Sequence, residues 1–312
     1  MIQVSHLTRR YGDLTAVDDV SFAIGRGEVV GLLGHNGAGK TTIMKMMTGF
    51  LEPSGGTIRI DGLEIGRDTP AIQSRLGYLP ENCPVWPDMT VIDYLDYQAA
   101  LHGVSQERRP RAIAQAIRRT ALSEKATRPI HTLSRGYRQR VGVAQAILHE
   151  PDIIILDEPT NGLDPTQIRH MRDLVRELAA KATVIVSTHI LQEVQAVCER
   201  VLILRAGRLV IDSRLEDLQR SQALLVTVDG DARSMLESME GVANVTELTA
   251  DETRRQYRLG VPPTAAPRVA AALTQAGLGI HELRATARSR NSFRQRERGG
   301  RACVNSSLSS AA

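Results

Sequence analysis

The sequence of 312 residues has few aromatic residues, few cysteines and no long apolar run. Phe, Tyr and Trp make up 3 % of the chain, and the cysteines at positions 83, 198 and 303 lie far apart. Because they form no CxxC pair, they indicate neither a zinc site nor a disulfide framework, and we interpret them as free thiols in a reducing compartment. No stretch approaches the ~18 apolar residues of a membrane span. We therefore expect a cytosolic chain whose membrane pore, if it serves one, lies on another polypeptide.

The net charge of +4 comes from one end of the chain. Residues 284–301 hold seven arginines and a single acid, and acidic residues outnumber basic ones by two in the rest of the sequence. Since the remainder is near neutral, we expect no nucleic-acid partner. The Arg- and Ser-rich end has no apolar periodicity, so we predict a disordered tail over 285–312, with contact to anionic lipid as the alternative.

Strand and helix patterns alternate along the first two thirds of the chain. Apolar positions have helical spacing between about 88 and 146, whereas 153–157 and 183–187 are apolar runs without alternation. Such runs are typical of parallel strands covered on both faces. Further strand patterns lie at 1–8, 20–24, 29–34 and 57–61, with a hairpin at 200–212. We predict an α/β fold for this part of the chain.

A second alternation begins after residue 222. Its order is βαββαβ, with strands at 223–229, 242–249, 254–261 and 278–284 and helices at 231–240 and 266–276. This order is the ferredoxin-like supersecondary pattern. We predict a small α+β accessory domain over 216–284.

A glycine-rich segment follows the apolar run Val29–Leu33 and precedes a helix pattern. It fits G-x-x-x-x-G-K-[ST] with Gly34, His35, Asn36, Gly37, Ala38, Gly39, Lys40, Thr41 and Thr42. Glycines let successive N–H groups point at phosphate oxygens, and the helix adds its positive dipole end. The Lys40 ammonium would contact the β- and γ-phosphates and the Thr41 hydroxyl would ligate Mg²⁺. The alternative is a chance glycine-rich turn, which this context disfavours.

Two carboxylates, Asp157 and Glu158, end the apolar run Ile153–Leu156. In open parallel sheets ligands bind at the carboxyl ends of the strands. Asp157 would hold Mg²⁺, and Glu158 would act as general base on the attacking water. Taken alone, the pair could equally be solvated acids at a strand end.

Further motifs accompany these in one order: Tyr11 before the glycine-rich segment, Leu-Ser-Arg-Gly-Tyr from 133, Asn-Gly-Leu-Asp from 161, and Ser-Thr-His from 187. The combination resembles the ATP-binding subunit of ABC transporters over about residues 1–215. The resemblance implies a P-loop NTPase cassette with a mixed sheet core and a helical subdomain. It also implies ATP and Mg²⁺ as cofactors and hydrolysis of ATP as the reaction.

The resemblance assigns a role to each motif. Ser134, Arg135, Gly136 and Tyr137 would form the signature that binds the partner subunit's ATP, and Asp164 would end the D-loop. His189 would be the switch histidine, Tyr11 would stack on adenine, and Glu81 would ligate metal where the family has a glutamine. Arg135, Tyr137 and His35 also depart from the family's usual residues, but none of these changes removes a catalytic group, so we expect an active ATPase.

The resemblance also implies partners: a second ATPase chain, a homodimer since both half-sites look complete, and a separate membrane permease. The chain would then lie on the cytoplasmic face of the membrane, and its variants at Glu81 and 135–137 are similar to exporters of the multidrug and gliding-motility type. Four aromatic residues, Tyr78, Trp86, Tyr94 and Tyr97, are either a permease-facing surface or local packing. The competing functions are a soluble ABC-type ATPase acting on nucleic acid or ribosomes, and an unrelated P-loop kinase.

Overall fold

The computed structural model describes residues 1–220, 222–250, 254–261 and 263–287. The chain divides into two compact units, one of Met1–Leu215 and one that begins at Glu216. Residues 288–312 of the predicted tail, including Cys303, lie outside the described residues. Within the described ranges, no helix is both long enough and apolar enough to cross a bilayer.

Strands and helices alternate through the first unit. The strands are β1 (Ile2–Tyr11), β2 (Leu14–Ile24), β3 (Val29–Leu33), β4 (Gly55–Ile60), β5 (Leu63–Glu64), β6 (Leu76–Leu79), β7 (Ile153–Asp157), β8 (Thr183–Thr188), β9 (Arg200–Arg205) and β10 (Arg208–Arg214). The helices are α1 (Lys40–Met47), α2 (Thr69–Gln73), α3 (Val91–Leu101), α4 (Arg109–Arg119), α5 (Arg135–Ile147), α6 (Pro165–Ala179) and α7 (Leu191–Val197). Helix α8 (Leu215–Arg220) follows the last of these strands.

Two sheets organise this unit. The larger has the order β10-β9-β3-β8-β7-β6, in which β10 alone runs antiparallel to its neighbour and the other pairs are parallel. The smaller is antiparallel, with the order β2-β1-β4-β5. One apolar cluster joins side chains of both sheets to those of α1, including Leu7, Leu32 and Met44. The predicted α/β cassette with a mixed sheet is confirmed.

The helices α3, α4 and α5 lie between β6 and β7 in the sequence, and they pack against one another. Helix α4 is rich in arginine but buries Ile113, Ala116 and Ile117 on one face, as an amphipathic surface helix does. Helix α5 reaches the large sheet at β6, where a Cβ added to Gly77 would lie 1.9 Å from the carbonyl oxygen of Ala146. This close approach fixes the C-terminal half of α5 on the sheet.

The second unit has the predicted βαββαβ order. Its elements are β11 (Gln222–Asp229), α9 (Arg233–Ser238), β12 (Ala243–Ala250), β13 (Arg254–Gly260), α10 (Ala266–Gln275) and β14 (Ile280–Ala287). The sheet order is β12-β13-β11-β14 and every pair is antiparallel. Its own core contains Val226, Tyr257, Leu259 and Leu273, which are fully buried. Strand β14 extends to Ala287, three residues into the segment predicted as tail.

Candidate functional site

The carboxyl ends of β3, β7 and β8 bring the candidate site together. Strand β3 pairs with β8, and β8 pairs with β7, all in parallel. The glycine-rich segment follows β3, the two carboxylates end β7, and Ser187–His189 end β8. Because parallel neighbours end at the same edge, three motifs that are far apart in sequence meet there.

The glycine-rich loop leads into a helix start that no side chain caps. Gly37 and Gly39 have φ values of 79° and 102°, in the left-handed region that glycine adopts without strain. Gly39 is the N-cap of α1, and no side chain caps that helix. The N–H groups of its first turn are thus free of side-chain partners, as in helix N-termini that bind phosphate.

Lys40 is buried, with 6 % of its surface exposed, and points back across the loop. Its Nζ donates to the carbonyl oxygen of Gly34 at 2.8 Å and lies 3.4 Å from Glu158 Oε1. Because a buried ammonium requires partners of this kind, the loop and the carboxylate together hold the positive charge in place. The site therefore contains an oriented cation where phosphate would bind.

Asp157 and Glu158 lie in different surroundings despite being adjacent. Asp157 is fully buried, and its Oδ1 accepts a hydrogen bond from the Ser187 hydroxyl. The same hydroxyl oxygen accepts from the Glu158 backbone N–H at 3.0 Å. Ser187, in the buried strand β8, thus fixes the Asp157 carboxylate and the backbone of Glu158. In the sequence it stands in the Ser-Thr-His motif, where only the histidine was given a role.

Glu158 is the most constrained side chain of the site. Its φ of 49° lies in the left-handed region, which costs a non-glycine residue ~1–3 kcal/mol and is common at functional positions. Its Oε2 lies 3.0 Å from His189 Nδ1, and its Oε1 faces Lys40. The carboxylate therefore stands between a buried lysine and a half-exposed histidine, where it can accept a proton from a bound water.

A magnesium ion fits the donors at this edge. Asp157 Oδ2 is buried and has no hydrogen-bond partner, and an unpaired buried carboxylate oxygen is a donor to which a cation can bind. Thr41, in the first turn of α1, offers a hydroxyl. Among the described residues, no three His, Cys, Asp or Glu side chains form a metal cluster. Mg²⁺ is commonly held by one or two protein groups together with phosphates and water, so this donor set suits it.

Glu81 is exposed and lies on the loop after β6. Its charge is nonetheless felt in the site: burial first, and then the charges of Asp157 and Glu81, raise the pKa of Tyr78 above its usual range. Glu81 and Asp157 therefore both lie near enough to Tyr78 to oppose its ionisation. A carboxylate on an exposed loop after this strand is compatible with a metal-ligating role.

Tyr11, at the end of β1, is 46 % exposed and is contacted on its ring by a cation from its own chain. The Arg9 guanidinium carbon lies 4.6 Å from the ring centroid. A stacking base would therefore use the opposite ring face, and the Arg9 contact restricts how the ring can turn.

The signature residues lie at the start of α5. Ser134 is the exposed N-cap, and its hydroxyl accepts from the Tyr137 N–H at 3.4 Å. Gly136 packs so closely on α6 that an added Cβ would lie 2.4 Å from Gln167 Oε1. The Tyr137 ring has the cations Lys125 and Arg140 at 5.5 and 5.4 Å from its centroid. The helix start is thus exposed and surrounded by basic side chains.

The segment 161–164, which follows the carboxylates and leads into α6, contacts the start of α5. Arg135 lies over Gly162, where an added Cβ would be 2.9 Å from its Nε. Asp164 caps α6 by accepting from the N–H groups of Thr166 and Gln167 at 2.9 and 2.8 Å. The carboxylate of Asp164 therefore shapes the segment within its own chain.

The four aromatic residues of 78–97 separate into two kinds. Tyr94 is fully buried and donates to Gln145 Oε1 at 2.5 Å, so it packs locally. Trp86 and Tyr97 are 58 % and 42 % exposed and meet edge to face at 6.0 Å. Tyr78 packs on the core of the two sheets with its ring centroid 5.9 Å from that of Phe50, so local packing explains both Tyr94 and Tyr78. The exposed pair leaves an apolar surface beside α3.

A family model described as ABC transporter matches residues 17–161. The ABC transporter ATP-binding protein NatA of Bacillus subtilis is 36 % identical over 228 residues, which are 71 % of this chain and 93 % of that protein. The linearmycin resistance ATP-binding protein LnrL of the same organism is 30 % identical over 257 residues, 81 % of this chain and 83 % of that protein. A dimeric bacterial ABC transporter cassette superposes with a TM-score of 0.65 at 25 % identity, over 69 % of this chain and 99 % of that one.

The loop that follows β3, the acids that end β7 and these similarities over most of the chain lead to one conclusion. The chain belongs to the ABC transporter ATP-binding protein family, as an ATPase subunit of such a transporter.

Proposed function

We propose that the chain binds MgATP on the loop Gly34–Thr42 and hydrolyses it with Glu158 as general base. The observation that carries the proposal is the buried array in which Glu158 contacts both Lys40 and His189. Lys40 would leave its contact with Glu158 to bind the phosphates. The Glu158 carboxylate would then be free to take the proton of the attacking water, and His189 would orient and stabilise that carboxylate.

Bound magnesium would be held by Asp157 and Thr41, with Glu81 approaching from its loop, and would neutralise charge on the β- and γ-phosphates. The unpaired Oδ2 of Asp157 supports this assignment. Tyr11 would stack on the adenine with the ring face that Arg9 does not cover.

The start of α5 would serve the ATP of a second copy. Ser134 and Gly136 are at an exposed helix N-terminus, which is a site for anions, and basic side chains surround it. Two chains related by a two-fold axis would then share two nucleotides, so that ATP favours the closed dimer and hydrolysis opens it. The dimeric cassette of similar fold supports a homodimer.

The membrane partner would be a permease on another chain, and the exposed Trp86–Tyr97 pair would lie in that contact. The transporter would be an exporter, since the linearmycin relative has a resistance function by its name. The chain would then be a peripheral protein of the cytoplasmic membrane face.

The test is ATP turnover and association state of Glu158→Gln beside the wild type. The variant keeps the shape of the side chain but loses the base, so we expect hydrolysis to fall by at least about a hundredfold. It should still bind MgATP and accumulate as a nucleotide-bound dimer in size-exclusion chromatography. Normal turnover by a monomeric Glu158→Gln would refute both the base and the shared site.

A further inference from the structure

One buried carboxylate outside the proposed chemistry joins the two loops that carry it. Glu193, in the first turn of α7, has 9 % of its surface exposed. Its Oε2 accepts a hydrogen bond from Thr160 Oγ1 at 2.6 Å and another from Thr188 Oγ1 at 2.8 Å. Thr160 lies two residues after the base and at the entrance of the segment 161–164. Thr188 immediately precedes the switch histidine.

The hydroxyl of Thr188 is fully oriented by this arrangement. It accepts from the Ile190 N–H at 3.1 Å and donates its own proton to Glu193. The Glu193 N–H in turn donates to the Ile190 carbonyl oxygen at 3.1 Å. The residues on both sides of His189 thus belong to one closed set of hydrogen bonds, which leaves the imidazole free to contact Glu158.

A buried carboxylate such as Glu193 requires hydrogen-bond donors around it. Hydrogen bonds to an ionised acceptor are shorter and stronger than neutral ones, and a carboxylate buried without them destabilises the fold. Both hydroxyls donate to the same oxygen, so movement of either threonine changes the hydrogen bonding of the other. The loop after β7 and the loop after β8 are therefore mechanically joined at one atom.

We propose that Glu193 is a positioning residue for hydrolysis. It holds Thr160, at the entrance of the D-loop, at a fixed position relative to His189. It would transmit contact of the partner subunit with the D-loop to the His189–Glu158 pair. This inference rests on the proposed function, because it assumes that the partner meets residues 161–164 and that Glu158 is the base. In this role Glu193 acts through Thr160 and Thr188 and takes no chemical step itself.

The test compares Glu193→Ala with Glu193→Gln and with Gln195→Ala, an exposed change on the same helix. A displaced catalytic pair lowers the rate of the chemical step but not ground-state binding, so we expect Glu193→Ala to lower kcat about tenfold and leave KM for ATP unchanged. Glu193→Gln should recover most of the rate, because its amide oxygen still accepts hydrogen bonds. Gln195→Ala should match the wild type.

The threonine arm keeps the inference testable if Glu193→Ala fails to fold. Thr160→Val removes the donor at constant shape and Thr160→Ser retains it, so the first should lose rate and the second should not. Where Glu193→Ala folds, the losses in its cycle with Thr160→Val should be less than additive, because both changes remove the same hydrogen bond. Wild-type rates in both Glu193→Ala and Thr160→Val, or a raised KM with kcat unchanged, would overturn the positioning role. A wild-type chain without ATPase activity would instead overturn the proposed function.

Discussion

Two helix N-termini of the first unit differ in what surrounds them. At the start of α1, the glycine-rich loop with Lys40, the carboxylates of β7 and His189 after β8 come from three neighbouring strand ends of one sheet. At the start of α5, Ser134 is exposed, and the contacts of its neighbours are with residues 162 and 167. We expect both ends to bind phosphate, but the first differs in having the proposed base, Glu158, and the unpaired Asp157 Oδ2 beside it.

The difference teaches how one chain can carry two halves of a site. The start of α1 is fixed by the sheet edge, whereas α5 is fixed at its other half, where it packs on β6. Gln139 also donates from α5 to the carbonyl oxygen of Glu158, at 3.5 Å. The N-terminus of α5 is thereby held in place and yet open to another molecule.

The largest loss of ATP hydrolysis should come from a change at the start of α1. Lys40→Ala removes the buried cation that orients phosphate, so ATP hydrolysis should fall by at least about a hundredfold. Phosphate release by the purified variant measures this. Lys45→Ala, which removes an exposed lysine from the same helix, is the control and should keep its activity. Equal losses in the two variants would contradict the role of Lys40.

A change at the start of α5 should affect hydrolysis without affecting nucleotide binding by the monomer. Ser134→Glu places a negative charge where the partner's phosphate would bind, so hydrolysis should fall about tenfold or more. Binding of a fluorescent ATP analogue to the monomer should be unchanged, because the monomer binds nucleotide at α1. Ser105→Glu, an exposed change between α3 and α4, is the control. Weakened monomer binding by Ser134→Glu would place both ends in one chain's site.

The anchorage of α5 on the sheet is tested by Gly77→Ala. A Cβ at this position would lie 1.9 Å from the Ala146 carbonyl oxygen, so helix and strand must separate. We expect a loss of ~2 kcal/mol in the free energy of unfolding, measured by urea denaturation. Gly55→Ala on β4, where the nearest atom is 4.0 Å away, is the control. Equal stability of the two variants would contradict the close approach.

The smallest effect concerns His149, just after α5. Burial first, and then the neighbouring His102, lower the pKa of His149 from 6.5 to about 4. Between these values the unfolded chain binds the proton and the folded chain does not, so acidification from pH 6.5 towards 4 favours unfolding. His149→Gln should show a smaller fall in melting temperature over this range than the wild type. His170→Gln, at an exposed position on α6, should keep the wild-type slope.

The glycine-rich loop and the parallel strands that precede the site residues were predictable because their signals are local. The glycines before Lys40 and the unbroken apolar runs of β7 and β8 each show in a few residues. The βαββαβ order of the second unit was predictable for the same reason, as its elements alternate clearly and are separated by turns.

What the sequence did not reveal depends on contacts between distant residues. Strand β6 has only four residues, and one of them is Gly77. In the sequence a glycine there indicates a turn, whereas in the structure its lack of a side chain lets α5 pack against the strand. Helices α6 and α7 were not predicted either. The Ser187 and Glu193 hydrogen bonds join residues 5 to 33 positions apart, and only the fold shows that these side chains are buried together.

The most direct test of the shared site mixes two variants that we expect to be impaired, Lys40→Ala and Ser134→Glu. In a two-fold dimer of one copy of each, one site has both changes, whereas the other combines an intact glycine-rich loop with an intact α5. Random pairing puts half of the dimers in this mixed form, so ATPase activity should recover to about a quarter of the wild-type value on mixing. No recovery above either variant alone, with mixed dimers demonstrated, would contradict a site shared between two chains.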